Sequence, residues 1–240
     1  MIDWLRRSAT EPSIALAGRE MPIAIRRHAR AKRMTLRLAP DGSEVRVTLP
    51  RWGRTADAME FASRRRDWLE AQLVRIPRSS PPAPGGIVAF RGEELEIDWQ
   101  PKALRRPERS GSAIRLGGPQ ETIARRLQRW LEQEALGLLE QDVALYCGRA
   151  GCEARPVRLS RAQRRWGSCA GDGTIRINWR LVQAPDHVRR SVVAHEVAHL
   201  RHFDHSAQFH ALLDTIFEGD IRAANQWLKD HGRQLYAAFG

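Results

Sequence analysis

The chain has 240 residues, with 40 Lys+Arg against 28 Asp+Glu, a formal charge of +12, and 42% apolar and 28% charged side chains. That balance excludes a disordered chain, and no apolar run approaches the roughly 20 residues that cross a bilayer. Three cysteines (Cys147, Cys152, Cys169) are odd in number and build no disulfide framework, which points to a reducing cytoplasm.

At this length one large domain or two small ones are expected. The segment from Met1 to Leu16 carries Asp3, Arg6, Arg7 and Glu11 and has no clean apolar core, so it does not read as a signal peptide. Lysines occur only at 32, 102 and 229, so the positive charge is almost all arginine. It is also uneven. Residues 1–78 hold 17 basic and 9 acidic side chains, residues 79–150 hold 10 of each, and residues 151–240 hold 13 against 9. Codon bias accounts for choosing arginine over lysine. An anionic partner would account for the clustering.

In chain order, residues 22–49 read as β. Ile23 and Ile25, then Met34, Leu36 and Leu38, then Val45, Val47 and Leu49 alternate with polar neighbours, and Pro40-Asp41-Gly42 supplies a turn. This predicts a hairpin with one basic face. Residues 55–75 change to helical spacing through Ala58, Phe61, Ala62, Arg65, Trp68, Leu69 and Leu73. The run Ser79-Ser80-Pro81-Pro82-Ala83-Pro84-Gly85-Gly86 breaks any helix and marks a linker or long loop. Short strands are expected at 87–91, 94–99 and 113–116, and one long helix over 120–147. Further short strands follow around Val157 and Leu159, Trp166, and Ile175 and Ile177. Pro185 suits the first turn of a helix running to about 202, and a last helix spans about 220–237. The expected organisation is a basic hairpin-plus-helix unit over 1–78, a Pro/Gly linker with short strands over 79–118, and a long helix followed by a catalytic domain over 119–240. The fold class is α+β.

The chemistry concentrates in His195-Glu196-Val197-Ala198-His199. On a helix, positions i and i+4 share one face about 6 Å apart along the axis. Two imidazoles there reach one Zn²⁺, and the carboxylate of Glu196, next to the first ligand, is placed to take a proton from a water that the ion activates. Val192, Val193, Val197 and Leu200 make the surroundings apolar, so these polar groups need partners. A third protein ligand should complete the site. His202 lies on the same face but about 10.5 Å along the axis from His195, too far to converge on one ion. The Phe203-Asp204-His205-Ser206 turn brings the chain back, with Ser206 as N-cap of a following helix. His205 is the expected ligand, with Asp204, His210, Asp214 and Glu218 as competitors. Arg165, His202 and His210 are unranked candidates for steadying an oxyanion or contacting substrate.

Arg165-Trp166-Gly167-Ser168-Cys169, Ile177-Asn178-Trp179-Arg180-Leu181, His195 to His199 with Leu200, and His205-Ser206 with Phe209 together resemble the YgjP-like metallopeptidases, small zincins related to the SprT and WLM groups. The resemblance is dense over about 155–215 and extends to the N-terminal basic hairpin. It implies a zincin-like catalytic domain with a small twisted sheet beside the active-site helix. It also implies one zinc ion on His195, His199 and His205, with Glu196 as catalytic acid/base. Asp204 departs from the asparagine often found before the third histidine. Members are linked to peptidase and to nucleoside triphosphate pyrophosphatase activity, so a UTP-type hydrolase is the alternative reaction, and a nucleic-acid-associated protein with structural zinc is a third reading.

Trp166 and Gly167 read as a strand packed close under the metal helix, or as an edge strand that pairs with an extended peptide. Cys169 reads as a small buried residue rather than a further soft ligand. Nine arginines (155, 158, 161, 164, 165, 176, 180, 189, 190) against Asp172 and Asp186 form either a solvated basic face or a basic approach to the cleft. Such an approach would suit an acidic peptide, a nucleic-acid-associated protein or a nucleotide, and Arg26, Arg27, Arg30, Lys32 and Arg33 could extend it. No aromatic interleaving for base stacking and no Walker-type phosphate loop accompany them.

Overall fold

A computed structural model describes residues 12–39, 42–74 and 81–239. Part of the Pro40-Asp41-Gly42 turn, the start of the Ser79–Gly86 breaker and the beginning of the Met1–Leu16 segment lie outside them. The chain divides into two compact units, Met1–Arg78 and Ser79–Gly240.

In the first unit β1 (Ser13–Leu16), β2 (Arg19–His28), β3 (Thr35–Leu38) and β4 (Val45–Pro50) form one sheet in the order β1-β2-β4-β3. The expected hairpin exists between β3 and β4, which pair antiparallel. The stretch around Ile23 is not its partner in a simple hairpin. It joins β4 in parallel, with Ile23 opposite Val45. Ile23, Val45, Val47 and Leu49 alternate onto the buried face. There they meet Ala58 and Ala62 of α1 (Thr55–Ser63) and Leu69 of α2 (Arg66–Val74). The single helix expected over 55–75 is broken between Ser63 and Arg66. Arg65 N–H donates to Ala62 O (3.1 Å), a tighter turn than an α-helix makes, which separates the two helices.

The second unit begins with β5 (Ile87–Phe90), β6 (Glu93–Trp99), β7 (Glu108–Ser110) and β8 (Ala113–Leu116), ordered β5-β6-β8-β7. Val88, Phe90, Leu95, Ile97, Ile114 and Leu116 pack against the first half of α3 (Ile123–Arg149) through Ile123, Leu127, Trp130 and Leu131. The second half of α3 turns Leu139, Val143, Tyr146 and Cys147 into a second core. That core also holds β9 (Val157–Ser160), β10 (Gly167–Cys169) and β11 (Ile175–Asn178), ordered β10-β11-β9. β10 pairs antiparallel with β11, and β9 pairs parallel with it, so β10 is an edge. Ile175 and Ile177 are fully buried on the inner face. Against this face lies α4 (Asp186–Ala198), with α5 (Ala207–Ile216) and α6 (Ile221–His231) beyond it. The last helical stretch ends at His231 and continues as a short 3-10 segment, Gly232–Tyr236. No helix among the described residues is long and apolar enough to cross a membrane.

Candidate metal centre

The H-E-x-x-H residues occupy the last turn of α4. The helix stops at Ala198, short of the expected 202, and His199 forms its C-cap. Leu200 N–H and Arg201 N–H turn to Val197 O (2.9 Å) and Ala198 O (3.1 Å), tightening the final turn so that the chain can double back. Ser206 then caps α5, its side chain accepting from Phe209 N–H at 3.4 Å. This return carries His205 beside the two helix histidines. One ligand atom from each of His195, His199 and His205 lies within 4.8 Å of the other two. Phe209, fully buried, floors the cluster, with its ring centroid 5.0, 4.6 and 4.8 Å from the three imidazoles.

Donor chemistry supports a cation at this point. His205 Nε2 and His195 Nε2 are 3.2 Å apart, close to the roughly 3.3 Å expected between two nitrogens held tetrahedrally at about 2.05 Å from zinc. Burial, then the neighbouring His199, His205 and His210, push His195 down to about 4, so its lone pair is free at neutral pH. His199 Nδ1 lies 3.0 Å from His202 O. With Nδ1–H donating to that carbonyl, Nε2 is the lone-pair nitrogen.

Glu196 is 6% exposed. Burial raises its carboxyl to about 7, against a hydrogen bond from the Cys169 backbone and the charge of Arg165. It is wedged against β10. A Cβ built on Gly167 would stand 2.7 Å from Glu196 Cγ and 2.8 Å from Cδ, so only glycine fits there. The carboxyl is thus set by a strand on one side and by the metal helix on the other.

The remaining sequence candidates separate. Arg165 is exposed, and its charge reaches Glu196. His210 stands with its ring centroid 6.4 Å from that of His205. His202 contributes its backbone carbonyl to His199. Asp204, His210, Asp214 and Glu218 fall outside the histidine cluster. Glu218 serves elsewhere. It pairs with Arg149 and Arg190, each at 2.5 Å, and accepts from Tyr146 OH at 3.0 Å. Cys169 is half-buried and also outside the cluster. Trp166 packs on Tyr236, with ring centroids 5.8 Å apart.

One feature of α4 had no sequence signal. Arg189, 2% exposed, donates to Asp142 Oδ2 of α3 at 2.8 Å and to Asp186 at 2.5 Å. Asp186 in turn holds Arg91 of the β5–β6 turn at 2.5 Å. This chain of ion pairs fixes the metal helix to both neighbouring layers. Apart from the i, i+3 pair of Asp186 and Arg189, its links join charges far apart in sequence, Arg189 to Asp142 and Asp186 to Arg91, which spacing could not reveal.

A family model described as "YgjP-like, metallopeptidase domain" matches residues 32–231. No curated protein matches the chain. Among solved structures, the metallopeptidase zymogen abylysin of Pyrococcus abyssi is similar at 20% identity and a TM-score of 0.36, covering 40% of this chain and 96% of that one. With a match over residues 32–231, the chain belongs to the YgjP-like family and is a metallopeptidase.

Proposed function

We propose that this metallopeptidase cleaves peptide bonds with one zinc ion held by His195, His199 and His205 and with Glu196 as the acid/base. The observation that carries the reading is the convergence of three imidazoles with a buried carboxyl on the adjacent helix position. Bound there, zinc supplies Lewis acidity toward the scissile carbonyl and toward water. Glu196 takes the proton of the attacking water on a carboxylate oxygen and passes it to the leaving amine nitrogen as the C–N bond breaks. Its pKa near 7 suits both halves of that task. Gly167 and the Cys169 N–H keep the carboxyl in one place during both transfers. Arg165, whose charge already acts on Glu196, is the residue we assign to the developing oxyanion.

The family match gives the nucleoside triphosphate and nucleic-acid readings no support. Three unpaired cysteines suit a reducing compartment, and we infer a cytoplasmic location. The test is Glu196→Gln. Peptide hydrolysis should fall about 10²- to 10⁴-fold while elemental analysis still finds one zinc per chain. Undiminished hydrolysis, or a purified wild type that takes up no zinc, overturns the reading.

A further inference from the structure

The nine arginines between 155 and 190 divide once their partners are known. Arg161 pairs with Glu132, Arg189 with Asp142 and Asp186, and Arg190 with Glu218. Arg180 lies between the Trp179 and Tyr236 rings, its guanidinium 4.8 and 4.5 Å from their centroids. Arg155, Arg158, Arg164, Arg165 and Arg176 form no ion pair among the described residues. Two of these five, Arg158 and Arg176, are neighbours by strand register. Ser168 stands opposite Arg176 across β10 and β11, and Arg176 opposite Arg158 across β11 and β9. Residues in register share a face of the sheet. The row Ser168–Arg176–Arg158 therefore lies on the face opposite buried Ile175 and Ile177. Arg158 is exposed and Arg176 half-exposed.

Like charges directly opposite each other destabilise a sheet. Here the pair stands beside the strand that touches Glu196, and Asp172, at the β10–β11 turn, is held below the usual carboxylate range first by its hydrogen bonds with Thr174 and only then by the charge of Arg176. The row ends at the free edge of β10, the strand whose other face touches Glu196. A chain extended along that edge would place alternate side chains on the arginine face. Strands are spaced about 4.8 Å apart, so its backbone would run about 9.6 Å from that of Arg176. That gap is within the combined reach of an arginine and an acidic side chain across the small Ser168. Arg158, one strand further back, is too distant for contact and adds its positive charge behind Arg176. The row of Ser168, Arg176 and Arg158 holds no aromatic side chain, and Trp166, just before β10, is already packed on Tyr236.

We propose that the β10 edge selects an acidic side chain on an extended peptide substrate, received over Ser168 by Arg176 with Arg158 behind it. The proposal rests on the metallopeptidase reading of the site and supplies its substrate class. Arg176 is the specificity residue, and Arg158 acts through it.

The test has two arms. In the first, wild type, Arg176→Glu and Arg176→Lys each digest a mixed peptide library, and the cleavage sites are read by mass spectrometry. Wild type and Arg176→Lys should enrich Asp and Glu at one fixed distance from the cut, and Arg176→Glu should replace them with Lys and Arg. In the second, Glu196→Gln binds a fluorescein-labelled peptide carrying that acid or its amide, followed by anisotropy at physiological salt. The acid should bind about fivefold more tightly, and Arg176→Glu combined with Glu196→Gln should lose the difference. Cleavage without acidic enrichment, enrichment unmoved by Arg176→Glu, or equal binding of acid and amide overturns the proposal. So does an oligonucleotide of equal charge that competes as well as the acidic peptide. Retained hydrolysis by Glu196→Gln would instead overturn the catalytic reading, and it leaves the binding arm to be judged on its own result.

Discussion

Replacing Gly167 with alanine probes the site at its tightest point. The added methyl would lie 2.7 Å from Glu196 Cγ and 2.8 Å from Cδ, and closer still to Oε1. Unbonded carbons rest about 3.5–4.0 Å apart, so about 1 Å must be found. β10 is pinned by its pairing with β11, and Asn178 N–H donates to Trp166 O at 2.7 Å just ahead of it. The strand therefore yields less than the glutamate side chain does. A displacement of about 1 Å at a reacting group costs about 100-fold in rate, while the overpacking costs about 1–3 kcal/mol of stability. The assay is kcat/KM on an internally quenched peptide, measured beside Tm and zinc content. We expect kcat to fall about 100-fold with KM nearly constant, zinc retained and Tm modestly lowered. A Gly167→Ala enzyme with wild-type kcat and wild-type Tm would show that Glu196 is not held against the strand, and would refute the reasoning.

Three other outcomes follow from described contacts. His205→Ala should weaken zinc binding roughly 100-fold or more, measured by competition with a chelator, whereas Glu218→Gln should leave it unchanged because Glu218 is engaged by Arg149, Arg190 and Tyr146. Arg189→Met leaves Asp142, 7% exposed, without its close partner. Breaking a buried pair from one side costs about 3–5 kcal/mol, and thermal unfolding should show it as a Tm lower by about 10 °C; an unchanged Tm contradicts it. For Asp186, burial works to raise the carboxyl, but the Arg91 hydrogen bond and Arg189 outweigh it and hold the group below the ordinary 3.8. Its stabilisation is present above the unfolded pKa and disappears as pH falls through the lowered folded value. Urea midpoints of wild type and Asp186→Asn should accordingly differ at neutral pH and converge as the medium is acidified toward about pH 2.

The metal helix was legible because its signal is local. An i, i+4 pair of histidines beside an acid, within an apolar run, announces the helix and the histidine cluster on which the proposed chemistry rests. The return of the chain was legible too, since Ser206 announces a cap and straight-helix geometry disqualifies His202. Strands with alternating apolar residues, such as Val45-Val47-Leu49 and Ile175-Ile177, could be read, whereas β7, made of Glu108, Arg109 and Ser110, carries no alternation and could not. Partners distant in sequence escaped. The spacing of Gly167 says nothing of Glu196, and Asp142 gives no hint of Arg189, because each pairing is created only when layers meet. The nine arginines illustrate the same limit. Their number was visible, but only their ion pairs, ring contacts and strand register separate those that hold the fold from those that face outward.

The long helix α3 lends one half to each core of the second unit, Ile123 to Leu131 on the β5–β8 sheet and Leu139 to Cys147 under the metal helix. A rigid rod shared in this way makes the two layers mechanically interdependent. Excising residues before Val157 to obtain a minimal protease would strip the metal helix of its backing, and removing only the β5–β8 sheet would lay bare a greasy stripe several turns long. The smallest fragment that behaves as an enzyme should therefore retain both layers, and heating should melt them in one transition.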